Sequence, residues 1–273
     1  MGYGYVGKAV GFGFKEMSKV WIYDKYLKLG SLEDVVKNAD CIFVCVPTPM
    51  DPKYTGIDLS IVDNVVGEIV TIARKIGCEP IIVIKSTVVP GTTRNLVRKH
   101  KWRQMLFNPE FLTEANYLQD FVNADRIIVG GELQQVREKL VGLYREIFPK
   151  TLLFETDSMT AEMVKYMSNT YLATKVIFAN EMYELCQKLG IKYEEVKKMT
   201  VADKRIFDSH LDVTSQRGFG GKCFPKDIVA LLGLGRDLRV DMSLLSTVWK
   251  KNLRTRKTRD WEDIPGAVSN NKS

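Results

Sequence analysis

Three glycines near the start, Gly2, Gly4 and Gly7, in the spacing Gly-x-Gly-x-x-Gly, constrain the fold more than any other stretch. That spacing belongs to a turn between a strand and a helix. The first glycine makes the turn, the second lets a pyrophosphate approach, and the third lets the helix pack on the sheet. A helical pattern follows to about Met17, then the strand-type run Val20-Trp21-Ile22-Tyr23, ending at Asp24. An acidic residue there, about 20 residues past the glycines, is placed to hold the ribose hydroxyls of a dinucleotide. A carboxylate repels a 2′-phosphate, so the pattern favours NAD over NADP.

The chain continues as alternating strands and helices. Ser31-Leu32-Glu33-Asp34 is a capped helix start, and Cys41-Ile42-Phe43-Val44-Cys45-Val46 is a buried-type strand ending in Pro47-Thr48-Pro49. Asp58-Leu59-Ser60 opens a helix to about Ile76, and Ile81–Ile84 leads into Lys85-Ser86-Thr87. Met105–Phe107 and Ile127–Val129 are expected to complete a parallel series. In the doubly wound order the first strand is central, yet the fingerprint opens at residue 2. The expectation is a segment upstream of Met1; without it two neighbouring strands lack a partner in mid-sheet.

From Thr160 to Leu189 the period becomes helical, with Met163, Met167, Leu172, Val176, Phe178, Met182 and Leu185 forming apolar stripes. This helix is apolar enough all round to pack against a symmetry mate, so a homodimer is expected. The fold class is therefore α/β: a Rossmann-like doubly wound parallel sheet with its first strand missing, followed by a mainly helical domain. Residues 1–155 are assigned to the nucleotide-binding domain, 156–253 to a helical central domain, and 254–273 to a basic, loose tail.

Chemistry concentrates in Gly218-Phe219-Gly220-Gly221-Lys222-Cys223-Phe224-Pro225-Lys226-Asp227. Glycines let the backbone pass close to a ligand, and a thiol beside lysine sits in positive potential that favours the thiolate. A helix starting at the proline places Asp227 one turn past Cys223. Glu110 and Glu114 follow the Met105–Phe107 strand and, four apart, are expected on one face; Lys165 and Asn169 share a face of the long helix. A buried structural cysteine, solvated acids and a snorkelling lysine are the plainer alternatives for these residues.

Two histidines and five cysteines at irregular spacing exclude a histidine triad and match no zinc motif, so no metal is expected. The net charge of +7 is gathered partly in Lys250, Lys251, Arg254, Arg256, Lys257 and Arg259, without the interleaved aromatics of a nucleic-acid platform. No apolar run reaches bilayer length and no signal-peptide pattern opens the chain, so no membrane partner and a cytoplasmic location are expected.

Together these motifs resemble the nucleotide-sugar dehydrogenases, the family of UDP-glucose 6-dehydrogenase and GDP-mannose dehydrogenase. The resemblance rests on Tyr3–Gly7, Val46–Pro49, Lys85–Thr87, Asn108-Pro-Glu-Phe-Leu112, Asp125-Arg-Ile-Ile-Val-Gly130, Lys165 with Asn169, and Gly218–Asp227. It implies NAD-dependent oxidation of a sugar C6 alcohol to a carboxylate, with UDP-glucose as the expected substrate and Cys223 as nucleophile. Lys165, Asn169 and Thr87 would then stabilise oxyanions, and Asp227 or Glu110 would take the proton of water. The implied cofactor positions are Gly2, Gly4, Tyr5, Val6, Gly7, Asp24, Pro47, Thr48, Thr87, Glu114 and Lys226. The implied sugar-nucleotide positions are Glu110, Phe111, Leu112, Thr113, Lys165, Asn169, Asp212, Val213, Thr214, Ser215, Gln216 and Gly220.

The chain departs from that family in two ways. It reads as a short form without the C-terminal UDP-binding domain, and the stretch between Asp24 and Asp40 is short. The basic run 250–259 or a partner protein is a candidate substitute for that domain. A non-catalytic binding relic is the alternative, while a β-hydroxyacid dehydrogenase would need no cysteine.

Overall fold

The computed structural model describes residues 1–269 and divides into two compact units. The first comprises Met1–Thr48 and Leu59–Lys165; the second comprises Pro49–Asp58 and the chain from Tyr166 onward. The division falls inside a long helix, α7 (Ser158–Leu189), later than the expected boundary at 155.

The first unit is built on a sheet of β1 (Cys41–Val44), β2 (Ile81–Ile84), β3 (Met105–Phe107), β4 (Arg126–Gly130) and β5 (Leu152–Thr156), in that spatial order. Helices cover both faces. Side chains alternate across a strand, so Ile42, Val44, Ile82, Ile84, Met105 and Phe107 join one core with α2 (Leu32–Asn38), α3 (Ser60–Ile76) and α4 (Thr92–His100). Ile81, Val83, Leu106, Ile127 and Val129 join the opposite core with α1 (Tyr5–Phe14), α5 (Tyr117–Val122) and α6 (Gln134–Ile147). Ser31 caps α2 as its spacing predicts, its hydroxyl accepting from the Asp34 N–H.

Two sequence expectations fail here. The Ile127–Val129 strand is not part of a parallel series: β4 runs antiparallel to β3, and β5 follows β4 in parallel. A parallel return needs a crossover that carries the chain back along the whole strand. The 108–125 connection does not make that return: it sets β4 down beyond the carboxyl end of β3, so the two strands run toward each other and meet only at Phe107 and Gly130. Second, Val20–Tyr23 forms no regular strand; its nearest ladder feature is the isolated Asp24–Leu29 bridge. Its apolar, β-branched residues favour a strand, but a strand needs a neighbour to pair with.

The second unit packs the α7 residues from Tyr166 with α8 (Tyr193–Thr200), α9 (Phe224–Asp237) and α10 (Ser243–Thr255). Ala173, Ile177, Ile228, Val229, Val248 and Trp249 form its main core. The stretch expected to be loose contradicts that expectation up to residue 269. Trp261 and Ala267 are fully buried in this core, and Ser269 donates its N–H to the Met50 carbonyl. The indole and its neighbours bury enough apolar surface to offset the entropy of ordering the segment. Residues 270–273 of the expected tail lie outside the described residues.

Candidate active site

In the first unit the glycine fingerprint wraps the start of α1. A Cβ on Gly7 would lie 2.0 Å from the Gly2 carbonyl oxygen, and one on Gly2 would meet the Cys45 carbonyl at 2.5 Å. Gly4 faces open space, with nothing within 4 Å of its Cβ position. Two glycines are thus required by the backbone, and the third leaves an approach to the helix N-terminus, where orphan N–H groups and the helix dipole favour phosphate. Asp24 stands beside them: its carboxylate accepts from the Tyr3 N–H at 2.7 Å and from the Tyr26 and Leu27 N–H groups at 2.9 and 2.8 Å. Burial pushes its pKa up, but these backbone donors outweigh that and hold it below the usual aspartate value. These residues fit a dinucleotide: a bare backbone for the pyrophosphate and an ionised carboxylate for ribose hydroxyls.

The carboxyl ends of β1 and β2 meet through Thr48, whose hydroxyl donates to the Thr87 carbonyl at 2.9 Å; both residues are buried. After β3, Pro109 keeps the chain out of helix and Glu110 turns inward. Its carboxylate pairs with Lys165 at 2.9 Å and accepts from the Leu112 N–H at 2.8 Å, while Lys165 also donates to the Glu110 carbonyl at 2.6 Å. Burial alone would raise the Glu110 pKa. The Lys165 charge and hydrogen bond, the Leu112 N–H and the charge of Lys85 together bring it below the usual value. Phe111 has the Arg126 guanidinium at 4.1 Å and the Lys165 ammonium at 5.4 Å from its ring centre. Leu112 is half-buried; Thr113 is exposed, bonded to Asp120 through N–H and hydroxyl. Glu114 is exposed on a turn. The expected single face of Glu110 and Glu114 does not form, because Glu110 turns into the core and no helix links them.

Lys85 was legible only as part of a motif. It is buried, and its ammonium donates to the Asn108 side chain at 2.8 Å and to the Asn108 and Pro109 carbonyls at 3.3 and 3.5 Å. Burial lowers its pKa to about 8, against the raising effects of Cys45 and Glu110. Asn108 in turn donates to the Ile128 carbonyl and accepts from the Tyr144 hydroxyl. This network fixes the turn from which Glu110 projects.

In the second unit Cys223 is the N-cap residue of α9, and Pro225 lies in the first turn. The Asp227 N–H donates to the Cys223 carbonyl at 2.9 Å, as the proline-start reading predicts. The buried Asp227 carboxylate accepts from the Asn169 amide and from the Lys226 ammonium, each at 2.6 Å. The glycine loop ahead is held by distant residues. Gly218 N–H donates to Asn180, Gly221 N–H to Asp260, and Asn252 clasps both the N–H and the carbonyl of Phe219. A Cβ on Gly220 would strike Asp260 and Arg256 at 2.3 and 2.4 Å. Asn180, Asn252 and Asp260 carry no motif signal; polar residues in helical stretches read as surface until their burial is known. Asp212, exposed, is ion-paired to Lys197; Val213 is half-buried, and Thr214, Ser215 and Gln216 are exposed. In the basic run, Lys251 pairs with Glu181 and Glu184, Arg256 with Asp260, and Arg259 with Glu262.

Among the described residues no cluster of histidine, cysteine or acid side chains could hold a metal ion, and no helix is long and apolar enough to cross a membrane. Residues 13–148 match the NAD binding domain, and residues 159–254 the central domain, of the UDP-glucose/GDP-mannose dehydrogenase family. The chain belongs to that family. A UDP-glucose 6-dehydrogenase of Rickettsia typhi is 36% identical over 244 residues, which cover 84% of this chain and 55% of that protein. One from Bacillus subtilis is 34% identical over 229 residues, covering 81% of this chain and 50% of its own length. A solved UDP-glucose dehydrogenase from the hyperthermophilic archaeon Pyrobaculum islandicum superposes with a TM-score of 0.79 at 30% identity, over 91% of this chain and 65% of that one. The chain spans about half the length of the curated relatives it matches. The matched NAD binding domain agrees with the cofactor that the glycines and Asp24 predict.

Proposed function

We propose that this chain carries out, or carries the nucleophile for, the NAD-dependent four-electron oxidation of a nucleotide-sugar C6 alcohol to the uronate. The observation that carries the reading is Cys223 at the head of α9, one turn before an Asp227 locked by Asn169 and Lys226. Bound NAD supplies the hydride acceptor for each two-electron step. The alcohol loses a hydride and a proton to become an aldehyde. The Cys223 sulfur then bonds to that carbon as its proton passes to oxygen, giving a thiohemiacetal. Loss of a second hydride and a proton leaves a thioester, which water cleaves to the carboxylate and the regenerated thiol. The thiol is needed because an aldehyde is a poor hydride donor and its thiohemiacetal a good one. Lys165 and Asn169 are assigned to stabilising the oxygen that gains charge, together with Thr87. Asp227 and Glu110 are the two candidates for taking the proton of water.

UDP-glucose is the first substrate to try, since the similar proteins from Rickettsia and Bacillus bear the name UDP-glucose 6-dehydrogenase. Purified chain with candidate UDP- and GDP-sugars should form two NADH per sugar, and Cys223→Ala, which cannot pass the aldehyde, should form at most one. A folded chain that includes the region upstream of Met1 and turns over no sugar refutes the catalytic reading and favours a non-catalytic binding relic or subunit. A homodimer is supported by exposed Met167, Tyr171, Phe178, Leu185 and Leu189 along α7. Sedimentation showing a monomer at micromolar concentration would reject it.

A further inference from the structure

Glu162 is a fully buried carboxylate to which the proposed chemistry gives no task. It lies in the first turns of α7, one turn before Lys165. Its Oε2 accepts from the Gly91 N–H at 2.5 Å, and its Oε1 from the N–H and hydroxyl of Thr93 at 2.8 and 2.6 Å. Those groups open α4. The N-cap residue there is Gly91, which holds φ at 97° and has no side chain with which to cap the helix it begins. The cap comes instead from another helix, 69 to 71 residues along the chain. The orphan N–H groups and the positive end of α4 favour a carboxylate in that place.

The cap ties together two stretches that carry site residues. Back from Gly91, the short loop 88–90 leads to Thr87, whose carbonyl accepts from the Thr48 hydroxyl at 2.9 Å. Along α7 the next turn brings Lys165, paired with Glu110 at 2.9 Å. The joint is close. A Cβ on Gly91 would have the Met159 methyl 3.6 Å away, and one on Gly130 would meet the Ala161 Cβ at 2.5 Å, so the first turns of α7 have no room to slide over β4. Arg94 adds an outer tie to Asp157 at 3.1 Å, and Asp157 itself accepts from the Met159 and Thr160 N–H groups that open α7. That outer pair is partly exposed and screened by water, whereas Glu162 is wholly inside.

We propose that Glu162 is a positioning residue of the candidate site. By capping α4 from α7 it fixes where the Thr87 loop stands relative to Lys165, without itself touching substrate. The inference rests on the catalytic reading, in which Thr87 and Lys165 together meet the oxygen that gains charge. A misplacement of about 1 Å in such a site costs on the order of 100-fold in rate. Other ties remain around α4, so losing this one should cost about tenfold.

The test compares Glu162→Ala, Glu162→Gln and, as a control that removes a cap elsewhere in the same unit, Ser31→Ala. Two quantities are read: amide hydrogen exchange, taken relative to the slowest β2 amides so that a global loss of stability cancels, and NADH formation from NAD and UDP-glucose. Glu162→Ala should speed exchange about tenfold at Gly91 and Thr93, and also at Leu112, whose N–H is bonded to the Glu110 carboxylate that Lys165 holds. Its kcat should fall about tenfold, with KM for NAD within about threefold of the parent. Glu162→Gln keeps an acceptor oxygen for Thr93 and should restore part of both, while Ser31→Ala should move neither. Unchanged exchange at Leu112, or a change that Ser31→Ala matches, overturns the inference. So does a kcat that holds steady while the melting temperature falls, the outcome for a cap that is only structural. A parent chain that forms no NADH refutes the catalytic reading instead, and exchange at Leu112 then decides whether Glu162 orders the site. If Glu162→Ala fails to fold, Glu162→Gln, which still loses the Gly91 bond, carries the same comparison.

Discussion

Replacing Lys165 by methionine should destabilise the first unit, and by an amount that depends on pH. The substitution keeps most of the side-chain volume but leaves the Glu110 carboxylate buried without its cation, and leaves the Glu110 carbonyl without its donor at 2.6 Å. Breaking a buried pair from one side costs about 3–5 kcal/mol. The retained Leu112 N–H and the nearby Lys85 charge place the expected loss at the lower end. At about 2–4 °C per kcal/mol for a unit of this size, the melting temperature should fall by roughly 6–12 °C near neutral pH. In the unsubstituted chain the Glu110 pKa is lowered, so its contribution is present above the ordinary glutamate value of 4.5 and is lost as pH falls through the folded value. Without Lys165, burial dominates and the folded pKa moves above 4.5, so the deficit grows as pH rises and shrinks in acid. Urea melts at pH 5 and pH 8 should show the smaller loss at pH 5. Adding Glu110→Gln should recover much of it, since the amide oxygen still accepts from Leu112. A single variant within about 1 kcal/mol of the parent at both pH values, or a double variant no better than the single, would refute the reasoning.

Other outcomes follow from the same geometry. Glu162 is buried and accepts from the Gly91 N–H and from the N–H and hydroxyl of Thr93; burial raises its pKa to about 7 despite those donors. Its contribution is therefore complete below 4.5 and lost as pH rises through about 7, a change of about 3 kcal/mol. Glu162→Gln should flatten that part of the stability–pH curve, and an unchanged slope would count against the assignment. Trp261→Ala should cost about 3–5 kcal/mol in the second unit, measured by denaturation, because a fully buried indole leaves a large cavity. Gly7→Ala should abolish NAD binding in calorimetry, since the added methyl overlaps the Gly2 carbonyl.

Much of this fold was legible because the relevant signals are local. Helix starts at Ser31 and Ser60, the proline-led helix after Cys223, and the apolar strands need only a few residues each to declare themselves. What failed depends on partners. Val20–Tyr23 has strand chemistry yet forms no strand, because pairing is a property of two segments. The direction of β4 depended on where the 108–125 connection sets the chain down, which spacing alone did not reveal. The closing stretch reads as polar and loose, but its Trp261 and Ala267 join a core otherwise drawn from residues between 50 and 249. In the candidate site, Cys223, Asp227, Lys165 and Glu110 announced themselves by residue type. The residues that hold the cysteine loop, Asn180, Asn252 and Asp260, did not, since a polar side chain in a helical stretch looks the same whether it meets water or a loop.

The clasp of Asn252 on Phe219 means that the shape of the cysteine loop is written elsewhere in the chain. Asn180, Asn252 and Asp260 act as a mould, and the ten residues from Gly218 to Asp227 are the casting. Transplanting those ten into another scaffold would carry the letters across and leave their form behind. A protein cut before residue 252 would keep the motif intact on paper and lose the means of holding it.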